Sequence, residues 1–386
     1  MQREKTEKDK SIPYFPLDVP NYRFDQRNEM FKRRTWDEEF IEPGNQFYTQ
    51  VKYQDRYGYR KLDYALRNAS WNIEYAHAFG ILSSNQGMYS WTHVSEKVKR
   101  FIETDGPVTQ TPETNTRVIK KAAKFLGADL VGICSAHPNL IYSHELDLIN
   151  KEHKKLELPE DCTHAIVLAV EMDYETSLYS PDSISGASTG FGYSQQAVVA
   201  NLVAAFIRGL GYKAIPSGND TALSIPLAIA AGLGELGRNG LLITEKYGPR
   251  VRICKVFTNL PLLYDDYKPF GVTRFCKTCK KCAVTCPSKS ISHDDPTIAG
   301  PSRSNHSGVL KWYINPEKCF LFWVKNRMDC NTCVSVCPFN KPAGILHDLV
   351  RFLIKRFPIF NNLMVHMDGL LGYGKPVKNK NFWESP

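Results

Sequence analysis

Cys276-Lys-Thr-Cys279-Lys-Lys-Cys282-Ala-Val-Thr-Cys286-Pro287 is followed by Cys319-x10-Cys330-x2-Cys333-x3-Cys337-Pro338. Two-residue gaps let one tight loop offer three soft thiolates to an inorganic core, and the fourth comes from afar. The first set has the spacing of a [4Fe–4S] cubane site, including the cysteine–proline pair. The second keeps the last two gaps and the proline, but its first cysteine is displaced to Cys319. Where two such sets share a chain, the cysteine before proline serves the other cluster. The expected ligands are therefore Cys276, Cys279, Cys282 and Cys337 for one cluster, and Cys319, Cys330, Cys333 and Cys286 for the second. Zinc is the competing reading, because paired C-x2-C also binds that ion. The doubled C-x2-C…C-x3-C-P order favours two cubanes.

Outward from this module, the chain of 386 residues is 42% hydrophobic and has room for more than one domain. Of its 11 cysteines, Cys134, Cys162 and Cys254 remain, each in or beside an apolar run, and read as buried thiols. A disulfide scaffold is disfavoured, because cluster thiolates must stay reduced while iron is loaded. The net charge of +9 is mild for this length and is no nucleic-acid footprint. Arg274, Lys277, Lys280, Lys281 and Lys289 surround the first cysteine loop. They read either as a solvated surface or as a docking patch for an acidic electron donor. No stretch reaches the ~18–20 apolar residues that span a bilayer. Ile345 to Leu371 comes nearest and is broken by His347, Asp348, Arg351, Lys355, Arg356 and Pro358. The opening MQREKTEKDK has no apolar region after it, so no secretory signal is expected.

Four regions are expected. Residues 1–112 form an aromatic-rich wrapping segment, mostly irregular and partly helical. Residues 113–268 form an α/β (α+β) core. Residues 269–342 carry the cysteines, and 343–386 are a tail returning to the core. In the core, Asn115 is expected to cap a helix that stops at Gly127. Asp129–Cys134, His164–Val170, Leu241–Thr244 and Val251–Phe257 read as strands. Ser194–Leu210 and Thr221–Leu233 read as helices.

Four motifs in this core invite chemistry. Gly190-Phe-Gly-Tyr193 reads as a glycine-flanked turn that starts a helix and projects a tyrosine. The plainer reading is an aromatic plug. Pro216-Ser217-Gly218-Asn219-Asp220 reads as a strand-to-helix turn whose N–H groups suit polar ligand edges, or as an ordinary turn. Gly232-Leu-Gly-Glu-Leu-Gly237-Arg238-Asn239-Gly240 follows a helix, so it is a poor dinucleotide fingerprint. It fits better as a turn that lets backbone approach a large flat cofactor. Arg250 and Arg252 share one face of a strand, either as a salt-bridged surface or beside partners that a core location would demand.

The run from Gly192-Tyr-Ser through Ile215-Pro-Ser-Gly-Asn-Asp-Thr to Tyr247-Gly-Pro-Arg-Val-Arg-Ile-Cys-Lys resembles the corrinoid-dependent reductive dehalogenases of organohalide-respiring bacteria. So does the order that follows: the regular cysteine set, the displaced set, and a tail ending Asn381-Phe-Trp-Glu. The likeness is strong from about residue 115 onward and weaker before it. It implies a nitroreductase-like core holding a base-off cobamide, with a ferredoxin-like two-cluster insertion. No histidine sits in an Asp-x-His-x-x-Gly context, which agrees with a cobalt carrying no protein ligand. The resemblance matches Tyr193, Asn219 and Arg252 to the family's catalytic positions, and Trp323 to an aromatic of its substrate pocket. Trp36, Trp71 and Trp91 are candidates for the other pocket aromatics. Ser217, Gly218, Gly237, Arg238 and Asn239 are expected around the cofactor.

The reaction implied is R–X + 2e⁻ + H⁺ → R–H + X⁻ on a small chlorinated alkene or alkane. A tyrosine, with a reference pKa of ~10, holds its proton at neutral pH and can give it up as a general acid. A neighbouring arginine favours the phenolate left behind. The family pattern also implies a respiratory electron donor, a small integral-membrane anchor protein, and a homodimer as a further candidate assembly. It implies a location on the outer face of the cytoplasmic membrane, after removal of a twin-arginine signal that this chain lacks; Arg33-Arg34 does not qualify. Two other readings stay open here. One is an epoxyqueuosine reductase-like enzyme acting on tRNA, which normally uses a carboxylate where this chain has Tyr193. The other is a ferredoxin-like electron carrier without catalysis.

Overall fold

The computed structural model describes residues 20–50, 53–78, 87–92, 106–148, 150–342, 344–377 and 381–384. The N-terminal segment contributes α1 (Met30–Arg33), α2 (Glu38–Thr49) and α3 (Lys61–Ile73). Residues 1–19 of this aromatic-rich segment, Phe15 among them, lie outside the described residues. Met30 and Phe40 bury against Phe320 and Val324 of the cysteine module. The segment thus covers the module rather than the core alone. In the tail, the Trp383 indole N–H donates to Asp63 of α3 at 2.8 Å.

Helix α4 (Pro112–Phe125) starts one turn earlier than the sequence suggests. Thr111 is the cap, its hydroxyl accepting from the Thr114 N–H, and proline fills the first helical position. Asn115 is inside the helix and its amide donates to the Pro261 carbonyl at 3.1 Å.

The central sheet has the order β1 (Leu130–Ser135), β4 (His164–Glu171), β8 (Val251–Thr258), β5 (Ala214–Ser217), with every pair antiparallel. Small hairpins β2 (His144–Leu146) with β3 (His153–Lys155), and β6 (Glu235–Leu236) with β7 (Leu242–Ile243), stand apart from it. The unbroken apolar run of β4 follows from burial on both faces. Ile166, Leu168 and Val170 pack with α4 and with α5 (Ser183–Gly209). Ala165, Val167 and Ala169 pack on the opposite face with α6 (Ser224–Ala230). The period of two in the strand divides the core into these layers.

Helix α5 corrects the expected turn at 190–193. It runs through those glycines from an N-cap at Asp182, whose carboxylate accepts from the Ile184 and Ser185 N–H groups. Glycine is here for close approach, not for a bend. A methyl group at 190 would collide with Trp71 of α3, and one at 192 would lie 2.8 Å from Arg252 Cγ. The helix expected over Thr221–Leu233 shrinks to α6, because its first residues belong to a strained turn described below.

Candidate active site and cluster module

Tyr193 lies on α5, between α3 and the sheet. Trp71 stacks on it with ring centroids 5.0 Å apart and planes 21° apart, and Tyr75 stacks on the far face of Trp71 at 4.9 Å. The Trp71 indole N–H donates to the Gly186 carbonyl at 3.1 Å, which fixes the ring across the helix. Arg252, on β8, holds its guanidinium carbon 4.9 Å from the Tyr193 ring centroid. Asn219 Nδ2 donates to the Tyr193 hydroxyl oxygen at 2.9 Å. The phenol hydrogen is therefore not spent on Asn219 and is free to point to a reacting atom.

Asn219 is exposed but its turn is rigid. Asp220 Oδ1 accepts from the Gly218 N–H at 2.6 Å, and the Ser217 hydroxyl donates to the Asp220 carbonyl at 2.8 Å. Thr221 has φ +66°, a left-handed conformation that a β-branched residue adopts only under constraint. Lys255 supplies the constraint. Its ammonium is fully buried and donates to the Gly218 carbonyl, the Ala222 carbonyl (2.9 Å) and Ser224 Oγ (3.0 Å). Burial pulls the Lys255 pKa down to about 8, against the opposing attraction of Asp220 and Glu29. Gly218 is required by packing: a methyl group there would lie 2.5 Å from the Tyr89 hydroxyl.

The expected site residues divide. Tyr193, Asn219, Arg252 and Trp71 come together. Ser217 and Gly218 belong to the Asn219 turn. Gly237 sits in the β6–β7 hairpin, but the side chains of Arg238 and Asn239 turn to the cysteine module. Arg238 donates to the carbonyls of Cys276 (3.0 Å), Ser292 (2.8 Å) and Asp294 (3.0 Å) and stacks on Trp312. Asn239 donates to the Cys333 carbonyl at 3.3 Å. Arg250 is buried against Glu171 and the carbonyls of Met172 and Lys341, so it has a packing role distinct from Arg252. Trp36 is held between Arg27 and Arg303, with its N–H on the Arg27 carbonyl. Trp91 packs on the layer opposite α5. Trp323 packs against Phe31 and Phe47. Of the expected pocket aromatics, Trp71 is thus the one seen against Tyr193.

Sequence reasoning missed Lys255, Thr189, Tyr75, Arg67 and Asp329. Asp329 is 5% exposed, and Arg67 Nε approaches it at 3.5 Å beside the Trp71 ring. Tyr48, under Arg34 at 3.9 Å, lies near enough to Arg67 and Asp329 to feel their charges. A lysine within a strand that otherwise reads as core was the one available signal. Nothing local marks the others.

In the cysteine module, Cys276, Cys279, Cys282 and Cys337 line one cavity with Ile243, Phe275 and Phe339. Burial pushes the Cys276 thiol up to about 12. Cys319, Cys330, Cys333 and Cys286 form a second group. Burial lifts Cys319 to about 12, with Cys330 and Cys286 adding to the rise. Burial also raises Cys333, which feels Cys330, Cys319 and Cys286 in turn. Thiols gathered in fours, each at least partly buried, suit a metal core that accepts them as thiolates. Cys282, Cys286 and Cys333 pack about the same small apolar group, so the two sets adjoin. Lys281 leaves the expected basic patch to pair with Asp368, while Arg274, Lys277 and Lys289 stay exposed.

The 4Fe-4S dicluster domain matches residues 275–341. A tetrachloroethene reductive dehalogenase of Desulfitobacterium hafniense is 37% identical over 352 residues, which cover 78% of this chain and 63% of that protein. One of Sulfurospirillum multivorans is 36% identical over 354 residues, covering 83% and 70%. The chain therefore spans less than two thirds of the Desulfitobacterium protein. A solved reductive dehalogenase, whose structure suggests a mechanism for B12-dependent dehalogenation, shares the fold with a TM-score of 0.73. The match covers 95% of this chain and 48% of that one at 24% identity. An epoxyqueuosine reductase of Atelocyanobacterium thalassa matches 29% of this chain.

Proposed function

The chain belongs to the reductive dehalogenases, and from that membership we propose that it removes halide from a small organohalide, a chlorinated alkene or alkane. The observation that carries the reading is Tyr193, with its hydroxyl oxygen bonded by Asn219 and its ring beneath Arg252. A cobamide would lie beside this group and would supply the reducing chemistry at the carbon–halogen bond. Trp71, Asn219 and Arg252 offer an aromatic face, an amide and a guanidinium. None of these competes for cobalt, which suits a base-off cobamide without a protein ligand. The backbone around Ser217, Gly218 and Gly237 is our candidate for contact with it.

The chain's own part is the proton. The Tyr193 O–H bond breaks, the proton goes to the carbon that loses halide, and a phenolate remains. Asn219 keeps donating to that oxygen and Arg252 supplies a fixed positive charge above the ring, so the phenolate is stabilised without rearrangement. Trp71 covers one face of the donor ring with apolar surface. Cys276, Cys279, Cys282 and Cys337 would hold one [4Fe–4S] cluster, and Cys319, Cys330, Cys333 and Cys286 the other. Their adjacency supports electron relay between them.

We read residues 113–268 as a nitroreductase-like core, 269–342 as the ferredoxin-like insertion, and the flanks 1–112 and 343–386 as the wrapping segment and returning tail. Work outside the cytoplasmic membrane, beside a small integral-membrane anchor and a respiratory electron donor, completes the reading. No described helix is long and apolar enough to cross a membrane. Support for a docked partner comes from two helices of the tail, α7 (Ile345–Arg356) and α8 (Asn361–Leu370): Ile345 is 90% exposed and Leu370 86%, with Leu349, Phe352, Leu363 and Met367 open beside them.

The test is anaerobic reconstitution with cobamide, iron and sulfide, followed by halide release from a panel of organohalides with reduced viologen. Bound cobalt and halide release are expected. A protein that takes up iron but neither binds cobamide nor releases halide would sink the reading and leave an electron carrier.

A further inference from the structure

Among the described residues, the buried Nε of Arg252 has no hydrogen-bond partner. A guanidinium in that state turns freely unless another group holds it. The holder is Thr189, one helical turn before Tyr193 on α5. Arg252 Nη2 donates to Thr189 Oγ1 at 3.3 Å. Asn331 Nδ2 donates to the same oxygen at 2.5 Å, and the Thr189 hydroxyl donates to the Ser185 carbonyl at 3.3 Å. A hydroxyl gives one hydrogen and accepts two, so Thr189 is saturated by this arrangement.

Asn331 lies between Cys330 and Cys333 and is 7% exposed. Its amide also reaches Ser185 Oγ at 3.1 Å, and its backbone N–H donates to Ser180 Oγ at 2.8 Å. It is anchored at both ends, to the cysteine loop and to α5. We propose that Asn331 and Thr189 are positioning residues that hold Arg252 over Tyr193, and so join the loop of the second cysteine set to the proton donor. The proposal rests on the reading of Tyr193 as that donor.

Thr189→Val keeps the side-chain shape but removes the acceptor that Arg252 and Asn331 share. In holoenzyme with normal cobalt, iron and cluster EPR spectra, kcat should fall about tenfold while KM changes little, because the interaction serves the reacting state. Thr189→Ser should restore most of the rate. The deciding comparison repeats Thr189→Val in a Tyr193→Phe background. If Thr189 acts through Tyr193, the second substitution adds almost nothing there. A purely structural role lowers the residual rate by the same factor in both backgrounds and overturns the proposal. So does wild-type activity in Thr189→Val when Tyr193→Phe is inactive. Full activity in Tyr193→Phe removes the donor reading itself, and the positioning role with it. Should Thr189→Val lose its clusters, Asn331→Asp carries the same comparison, since it keeps the size but cannot donate to Thr189.

Discussion

Tyr193→Phe removes one oxygen and leaves the ring that stacks on Trp71. Cobamide and both clusters should remain, while dehalogenation falls by the ~10²–10⁴-fold typical of a lost general acid. Unchanged turnover with normal cofactor content would show that solvent supplies the proton. Lys255→Met makes a different prediction. It deprives the Gly218 and Ala222 carbonyls of their donor, at ~1–3 kcal/mol for each buried group left unpaired. The strained turn at Thr221 would relax and carry Asn219 away from Tyr193. Urea midpoint and kcat should fall together; a stability loss with unchanged kcat would separate the turn from catalysis. Glu74 offers a pH test. Burial raises its carboxyl to about 8, with Asp220 adding to the rise. A folded-state value above the unfolded one means the contribution is full at low pH and is lost as pH rises through about 8. Glu74→Gln should flatten that decline in the thermal midpoint. An unchanged slope would place the pH dependence elsewhere. Of these residues, Tyr193 and Asn219 stood out in the sequence through family likeness. Lys255 and Glu74 did not, because their importance lies in burial, which composition does not reveal.

At the scale of elements, α5 and α3 are the pair that builds the site. Glycine at a helix interior costs ~1 kcal/mol relative to alanine, so Gly190 and Gly192 are a local defect with a tertiary reason. Gly190→Ala should push Trp71 off Tyr193 and depress turnover, although the helix itself is favoured. Gly209→Ala is the control, since nothing lies within 4 Å of a methyl group there. It should be neutral or stabilising and fully active. Equal activity in both variants would show that the Trp71 stack is dispensable. The strand β4 was legible because its apolar run is longer than any turn could hold. The start of α5 was not. Gly190 to Tyr193 read locally as a glycine-flanked turn, whereas the helix runs through them from its cap at Asp182, with Trp71 packed against Gly190.

For the whole molecule, the proposed crossing of ligand sets would make the cysteine module a single unit. Intact protein should hold about eight iron and eight sulfide. Cys286→Ala should damage the cluster of Cys319, Cys330 and Cys333 and spare that of Cys276, Cys279 and Cys282, as read by iron content and EPR. Loss confined to the first set would reverse the assignment. Spacing along the chain was enough to propose this pairing, because in doubled C-x2-C-x2-C-x3-C-P sets the cysteine before proline serves the other cluster. The chain by itself determined the cysteine loops, the buried strands and the family likeness, all of which depend on neighbours in sequence or on runs long enough to recognise. Only the tertiary structure decided which aromatic covers Tyr193, what clamps the Asn219 turn, and where Arg238 and Asn239 point. Those outcomes depend on which surfaces pack together across long stretches of chain, and a side chain's partner there is chosen by shape and by the need to satisfy buried polar groups.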